Sequence, residues 1–68
     1  LAYSIILNLS NEIAVEAFLK KQIKFNQIFQ MVDSSLNKIK TKKISNIDEV
    51  FVFSNQVVNE TKNLLLKL

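Results

Sequence analysis

Glu12 and Glu16 stand four residues apart in "NEIAVEAFL". On a helix that spacing puts two carboxylates on one face. Such a pair can hold a hard cation or share a proton as an acid–base dyad. A di-metal bundle site also needs Glu-x-x-His segments from other helices, and the chain has no His. We therefore read the pair as part of a polar stripe and expect no metal ligand here. Lys38, Lys40, Lys42 and Lys43 are a second candidate, a basic run of the kind that grips phosphate backbones. No Arg is present for bidentate base contacts, so we read a solvated linker and expect no nucleic acid. Phe18, Phe25, Phe29, Phe51 and Phe53 could stack on bases. Aromatics at helical spacing ordinarily fill a core, and that is the expectation for all five.

Composition removes most other chemistry. Gly, Pro, Cys, His, Trp and Arg are all absent. There is no thiolate or imidazole for zinc, no Ser–His or Cys–His nucleophile pair, and no glycine loop to cradle a phosphate. No catalytic, cofactor-binding or metal-binding residue can be named, and the chain by itself is expected to be inactive. No apolar run is long enough to span a bilayer, and "SIILNLS" is too polar for a secretory signal. Nothing demands secretion, and a cytoplasmic location is the expectation. The chain opens on Leu1 without an initiator Met, so we expect a piece of a longer protein. Its 68 residues allow one core with little margin, so we expect a domain that is marginal alone or one that finishes its core against something beyond these residues.

The elements that must position these side chains are helical. From Ala2 to Lys20, polar residues recur at Ser4, Asn8, Glu12, Glu16 and Lys20, with apolar side chains around most of the remaining circumference. That pattern predicts a central helix buried on several sides. "KKQIKF" interrupts it. Asn26 is then a candidate cap for a second helix, whose inner face carries Ile28, Met31, Val32, Ser35, Leu36 and Ile39. "KIKTKKIS" is a polar linker, and Asn46 with Glu49 has capping-box spacing. "VFVF" at Val50 to Phe53 favours a strand by composition, but no other segment alternates to pair with it. It is therefore assigned to a short helix, with Ser54 capping a last one striped by Val57, Val58, Thr61, Leu64, Leu65 and Leu68. The fold predicted is all-α, a small bundle of three longer helices plus one short helix. It forms a single domain over the whole chain, with helices at about 2–20, 27–40, 47–53 and 55–67. Phe18, Leu36 and Leu65 are expected to face inward, each from a different helix.

The first helix poses a question of its own. Asn8, Ser10, Asn11 and Glu12 interrupt what otherwise reads as a buried segment, and a buried polar group without a partner costs about 1–3 kcal/mol.

The order of these residues carries a resemblance. Leu7-Asn8, Asn11-Glu12, Ala14-Val15 and Ala17-Phe18-Leu19, followed by Ile23, Phe25 and Ile28, keep a fixed spacing. This resembles the start of the C-terminal helical domain of the 1-deoxy-D-xylulose 5-phosphate reductoisomerase family. That family typically reads Leu-Asn-Ala-Ala-Asn-Glu, a few residues, Ala-Phe-Leu, then Ile-x-Phe-x-x-Ile. Leu9 and Ser10 replace the two alanines here. From Phe29 onward the likeness is one of helix order, polar linker and a Ser-capped last helix. The family often has Asp where Ser54 stands, followed by an Ala-Arg pair that this chain lacks.

The resemblance implies a helical bundle at the C-terminal end of a homodimeric parent enzyme of the methylerythritol phosphate route to isoprenoids. The parent isomerises 1-deoxy-D-xylulose 5-phosphate and reduces the intermediate with NADPH and a divalent metal, Mg or Mn. The family's dinucleotide, metal and phosphate sites lie upstream, and none maps onto these positions. The implied partners are the remaining domains of the parent, with Asn8, Asn11 and Glu12 as expected interdomain contacts. A reading of a different class is a free-standing helical module that binds a partner protein or nucleic acid.

Overall fold

The computed structural model describes residues 1–68 and contains three α-helices and no strand. They are α1, Ala2–Leu19; α2, Phe25–Lys38; and α3, Ile47–Leu66. The all-α bundle is as expected, but its division is not. The predicted short helix and last helix are one continuous α3 of 20 residues. Ser54, assigned as the cap between them, sits half-buried in its interior and makes no side-chain hydrogen bond. No Gly or Pro interrupts this stretch. Phe53, Val57 and Thr61, four apart, must lie on one stripe to reach the core together, and only an unbroken helix puts them there. Burial thus overrides the strand preference of "VFVF". The Asn46 cap is as expected. Its Oδ1 accepts from the Glu49 N–H at 2.9 Å, and Glu49 Oε1 accepts from the Ser45 N–H at 3.2 Å.

α1 buries Ala2, Ile6, Ser10, Ala14 and Ala17, a single face. The expected burial on several sides is therefore corrected. α2 and α3 both pack on α1, yet they cover one side, and Ser4, Asn8, Glu12, Val15 and Leu19 remain exposed on the other. Three helices are too few to enclose one of their number. α1 stops without a glycine: Lys21 takes a left-handed backbone with φ 62. Its N–H donates to Phe18 O at 2.9 Å, and the Gln22 N–H donates to Ala17 O at 2.9 Å. These two bonds close a Schellman motif, and the next residue, Ile23, folds back onto Ala14 and Ala17.

α2 begins two residues before its predicted start. The Lys24 N–H donates to Gln27 Oε1 at 2.7 Å, so the cap is supplied from inside the helix. Asn26 lies in the first turn and is not the cap. The predicted inner face holds: Ile28, Met31, Ser35 and Ile39 are buried, with Val32 and Leu36 half-buried. The linker is less idle than its lysines suggest. Ile39 and Ile44 pack into the core, and Lys42 Nζ rests 5.6 Å from the centroid of the Phe53 ring.

The core has two apolar clusters. One contains Ala2, Ile6, Ile39, Phe53 and Val57; the other contains Ala14, Ala17, Ile23, Ile28 and Met31. Each helix places one hydroxyl residue between them: Ser10 on α1, Ser35 on α2 and Thr61 on α3, all fully buried. Ser10 Oγ donates to its own helix at Ile6 O, 2.6 Å away, and Ser35 Oγ lies 3.3 Å from Thr61 Oγ1. No buried side-chain oxygen or nitrogen is left without a partner. Of the phenylalanines, only Phe53 fills the core. Phe18 is half-buried, and Phe25, Phe29 and Phe51 are 62%, 64% and 63% exposed, against expectation. Ala2, Ala14, Ala17, Ser10 and Ser35 occupy much of the buried surface, and Phe53 is the one large ring among them. Phe18, Leu36 and Leu65 flank the clusters and do not form their centres.

Candidate interdomain surface

The polar residues of α1 separate into two kinds. Ser10 points inward and satisfies itself through the Ile6 carbonyl, the back-bonding open to serine within a helix. Asn8, Asn11 and Glu12 are exposed, and none has a side-chain hydrogen bond within the chain. Asn8 and Glu12 lie on the side of α1 turned away from both clusters, and Asn11 lies beside α2.

Further along the same stripe, Lys20 Nζ donates to Glu16 Oε1 at 2.7 Å, with both side chains well exposed. The hydrogen bond and the charge of Lys20 hold the Glu16 carboxyl below its usual range, with a smaller contribution from Lys62. Glu16 is paired with Lys20 at the surface, and no group of three His, Cys, Asp or Glu side chains forms around Glu12. Nor does the backbone offer a glycine loop to receive a dinucleotide phosphate. Within the lysine run, Lys42 covers Phe53, Lys38 sits in the last turn of α2, where the helix dipole favours a cation, and Lys40 and Lys43 are exposed.

Beside the amides lies a feature that pattern reading missed. Leu7 and Asn11 of α1 and Phe29, Val32 and Leu36 of α2 line an open groove along the α1–α2 seam. At one end the Phe25 ring meets Phe18 and Phe29 edge-on, with centroids 5.7 Å apart in both pairs. The outer side of α1 adds exposed Val15 and Leu19. No lysine lies within α1, and α2 has one only at its last residue. The available signal was the four-residue spacing of Phe25, Phe29 and, one turn on, Val32 and Leu36. It becomes readable only once α2 is known to start at Phe25.

The family model of the DXP reductoisomerase C-terminal domain matches residues 1–60 of this chain. Among curated proteins, the chain is similar to the 1-deoxy-D-xylulose 5-phosphate reductoisomerase of Colwellia psychrerythraea, 41% identical over 59 residues, covering 87% of this chain and 14% of that protein. The enzyme of the same name from Psychrobacter cryohalolentis is 37% identical over 68 residues, covering 96% of this chain and 17% of that protein. The one from Psychromonas ingrahamii is 49% identical over 45 residues, covering 66% and 11%. The chain thus spans less than a fifth of the length of these relatives. No solved structure matches it. No helix is long and apolar enough to cross a membrane.

Proposed function

The chain belongs to the DXP reductoisomerase C-terminal domain family, and from this we propose that it braces a 1-deoxy-D-xylulose 5-phosphate reductoisomerase. The family match over residues 1–60 carries the proposal. The proposed parent is a homodimeric cytoplasmic enzyme of isoprenoid biosynthesis. It isomerises 1-deoxy-D-xylulose 5-phosphate and reduces the product with NADPH, with the help of Mg or Mn. The bundle supplies none of that chemistry. Its contribution is a stiff helical body, and its residues suit neither the nucleotide nor the metal. A free-standing interaction module is not favoured, because the relatives are much longer enzymes.

The test is to purify the protein encoded by the complete open reading frame and follow NADPH oxidation on 1-deoxy-D-xylulose 5-phosphate with Mn²⁺ present. The complete protein should turn over and the 68-residue chain should not. An open reading frame without a further domain, or turnover by the short chain, would refute the assignment.

Asn8, Asn11 and Glu12 are the proposed polar contacts to the rest of the parent. Their exposure and lack of partners within the bundle support that role. In the isolated chain, Asn11→Ala should be neutral or slightly stabilising, since Ala is the better helix former by several tenths of a kcal/mol. In the parent the same change should cost about 1–3 kcal/mol by stranding a partner group. Paired thermal melts decide the matter, and a large loss in the isolated chain sinks the interface role.

A further inference from the structure

We propose that the aromatic seam between α1 and α2, centred on Phe29 and Leu7, is where the rest of the same polypeptide docks. This rests on the chain being part of a longer enzyme, and it goes further by naming one face of the bundle and its occupant. Phe25 and Phe29 are each more than 60% exposed, although Phe53 shows that the fold can bury a ring completely. They are not loose. Edge-to-face contact along Phe18, Phe25 and Phe29 holds the rings in fixed orientation, so little freedom remains to be lost when a partner covers them.

Charge marks the same face. All nine cations are lysines, and they sit in the two connections, at the end of α2, on the C-terminal half of α3 and just past its end. The outer side of α1 from Tyr3 to Leu19 has none. Cores of protein interfaces are rich in aromatics and poor in lysine; Phe18, Phe25 and Phe29 touch one another along the seam, and no lysine lines its groove, although Gln30 and Asp33 do. Asn11 lies in the groove with an unpaired amide, a donor and an acceptor suited to a peptide group, among apolar Leu7, Phe29, Val32 and Leu36 and polar Gln30 and Asp33. The exposed Phe51 on α3 differs. Its exposed neighbours Ile47 and Val52 are aliphatic, and no second ring supports it.

The occupant is the parent's own chain. The curated relatives have more than four-fifths of their length outside the matched region. A covalently joined domain meets this face at an effective concentration on the order of millimolar, which a second copy in dilute solution does not reach.

The experiment uses the complete protein. Phe29→Cys and, as a gentler change in the lining of the same groove, Gln30→Cys are each treated with N-ethylmaleimide, and mass spectrometry follows the peptide carrying the new thiol. Labelling of the native protein at least tenfold slower than of the same variant in urea is expected, unchanged on hundredfold dilution. Protection below tenfold in both variants overturns the proposal, as does protection that vanishes on dilution, which would assign the face to a second copy. Fast labelling in an active full-length enzyme defeats only the docking face. The absence of any further domain in the open reading frame removes the occupant and defeats both proposals.

Discussion

The two apolar clusters of this bundle are made in different ways. The first joins Ala2 and Ile6 of α1 to Ile39 of the linker and to Phe53 and Val57 of α3, so its contacts close loops of up to some fifty residues. Its members are mostly large and sealed. The second joins Ala14 and Ala17 to Ile23, Ile28 and Met31, all within one helical hairpin, and α3 reaches it only through half-buried Leu65. Its α1 side is alanine, so the helices meet closely and side-chain volume is small. Local contacts of this kind form early and at low entropic cost, whereas docking of α3 depends on the first cluster. One cluster thus builds the hairpin, and the other fixes the third helix to it.

Truncation should expose this difference. Phe53→Ala removes the one fully buried ring and should cost about 3–5 kcal/mol, enough to undock α3 in a domain of this size. Met31→Ala should cost about 2–3 kcal/mol, because half-buried Phe18 and Leu65 can close on the vacated space. Urea melts of the two variants give the order, and a larger loss at Met31 would reverse the roles of the clusters.

Next in size is the turn that closes the hairpin. Lys21 holds φ 62 where glycine would carry no steric penalty. Lys21→Gly should therefore raise the stability of the hairpin end by about 0.5–1 kcal/mol, the relief of the left-handed strain exceeding the added chain entropy. A fall in the urea midpoint would show that the lysine side chain has a role that its backbone does not reveal.

The smallest effect belongs to Glu16 and Lys20. The Glu16 carboxyl titrates below its unfolded value, so the stability it contributes is present above that value and is lost as pH falls through the lowered folded one. Melts of the native chain and of Lys20→Gln should therefore converge in acid, and also in about 1 M salt, where exposed pairs are screened. A difference that persists at both limits would mean that Lys20 acts by packing.

Much of this was legible in the sequence where a local rule and burial agree. The inner face of α2 and the Asn46–Glu49 cap are of that kind. Illegible features were those decided by what lies opposite. Ser54 suits a cap as well as a helix interior, and only the shared burial of Phe53 and Val57 selects the latter. Lys24 has no side-chain acceptor, so the start of α2 depends on Gln27 reaching back. Which phenylalanine is core depends on how closely helices approach, a quantity no single helix contains. That is why the polar stripe of Asn8 and Glu12 could be read from spacing while the adjoining rings of Phe25 and Phe29 were assigned to the interior.

The buried hydroxyls also govern alignment. Leu, Ile and Met contacts are forgiving, and a helix slid by one turn, about 5.4 Å, would find other apolar partners. Ser35 and Thr61 are not interchangeable with their neighbours in this way. A one-turn slip of α3 sets Ser35 against Val57 or Leu65 and leaves a buried hydroxyl deprived of its partner, at about 1–3 kcal/mol. Ser10, small and already satisfied, lets α1 approach at the same level without competing for that bond. In a bundle with no glycine, proline or disulfide to index its helices, one pair of hydroxyls acts as the detent that admits a single phase.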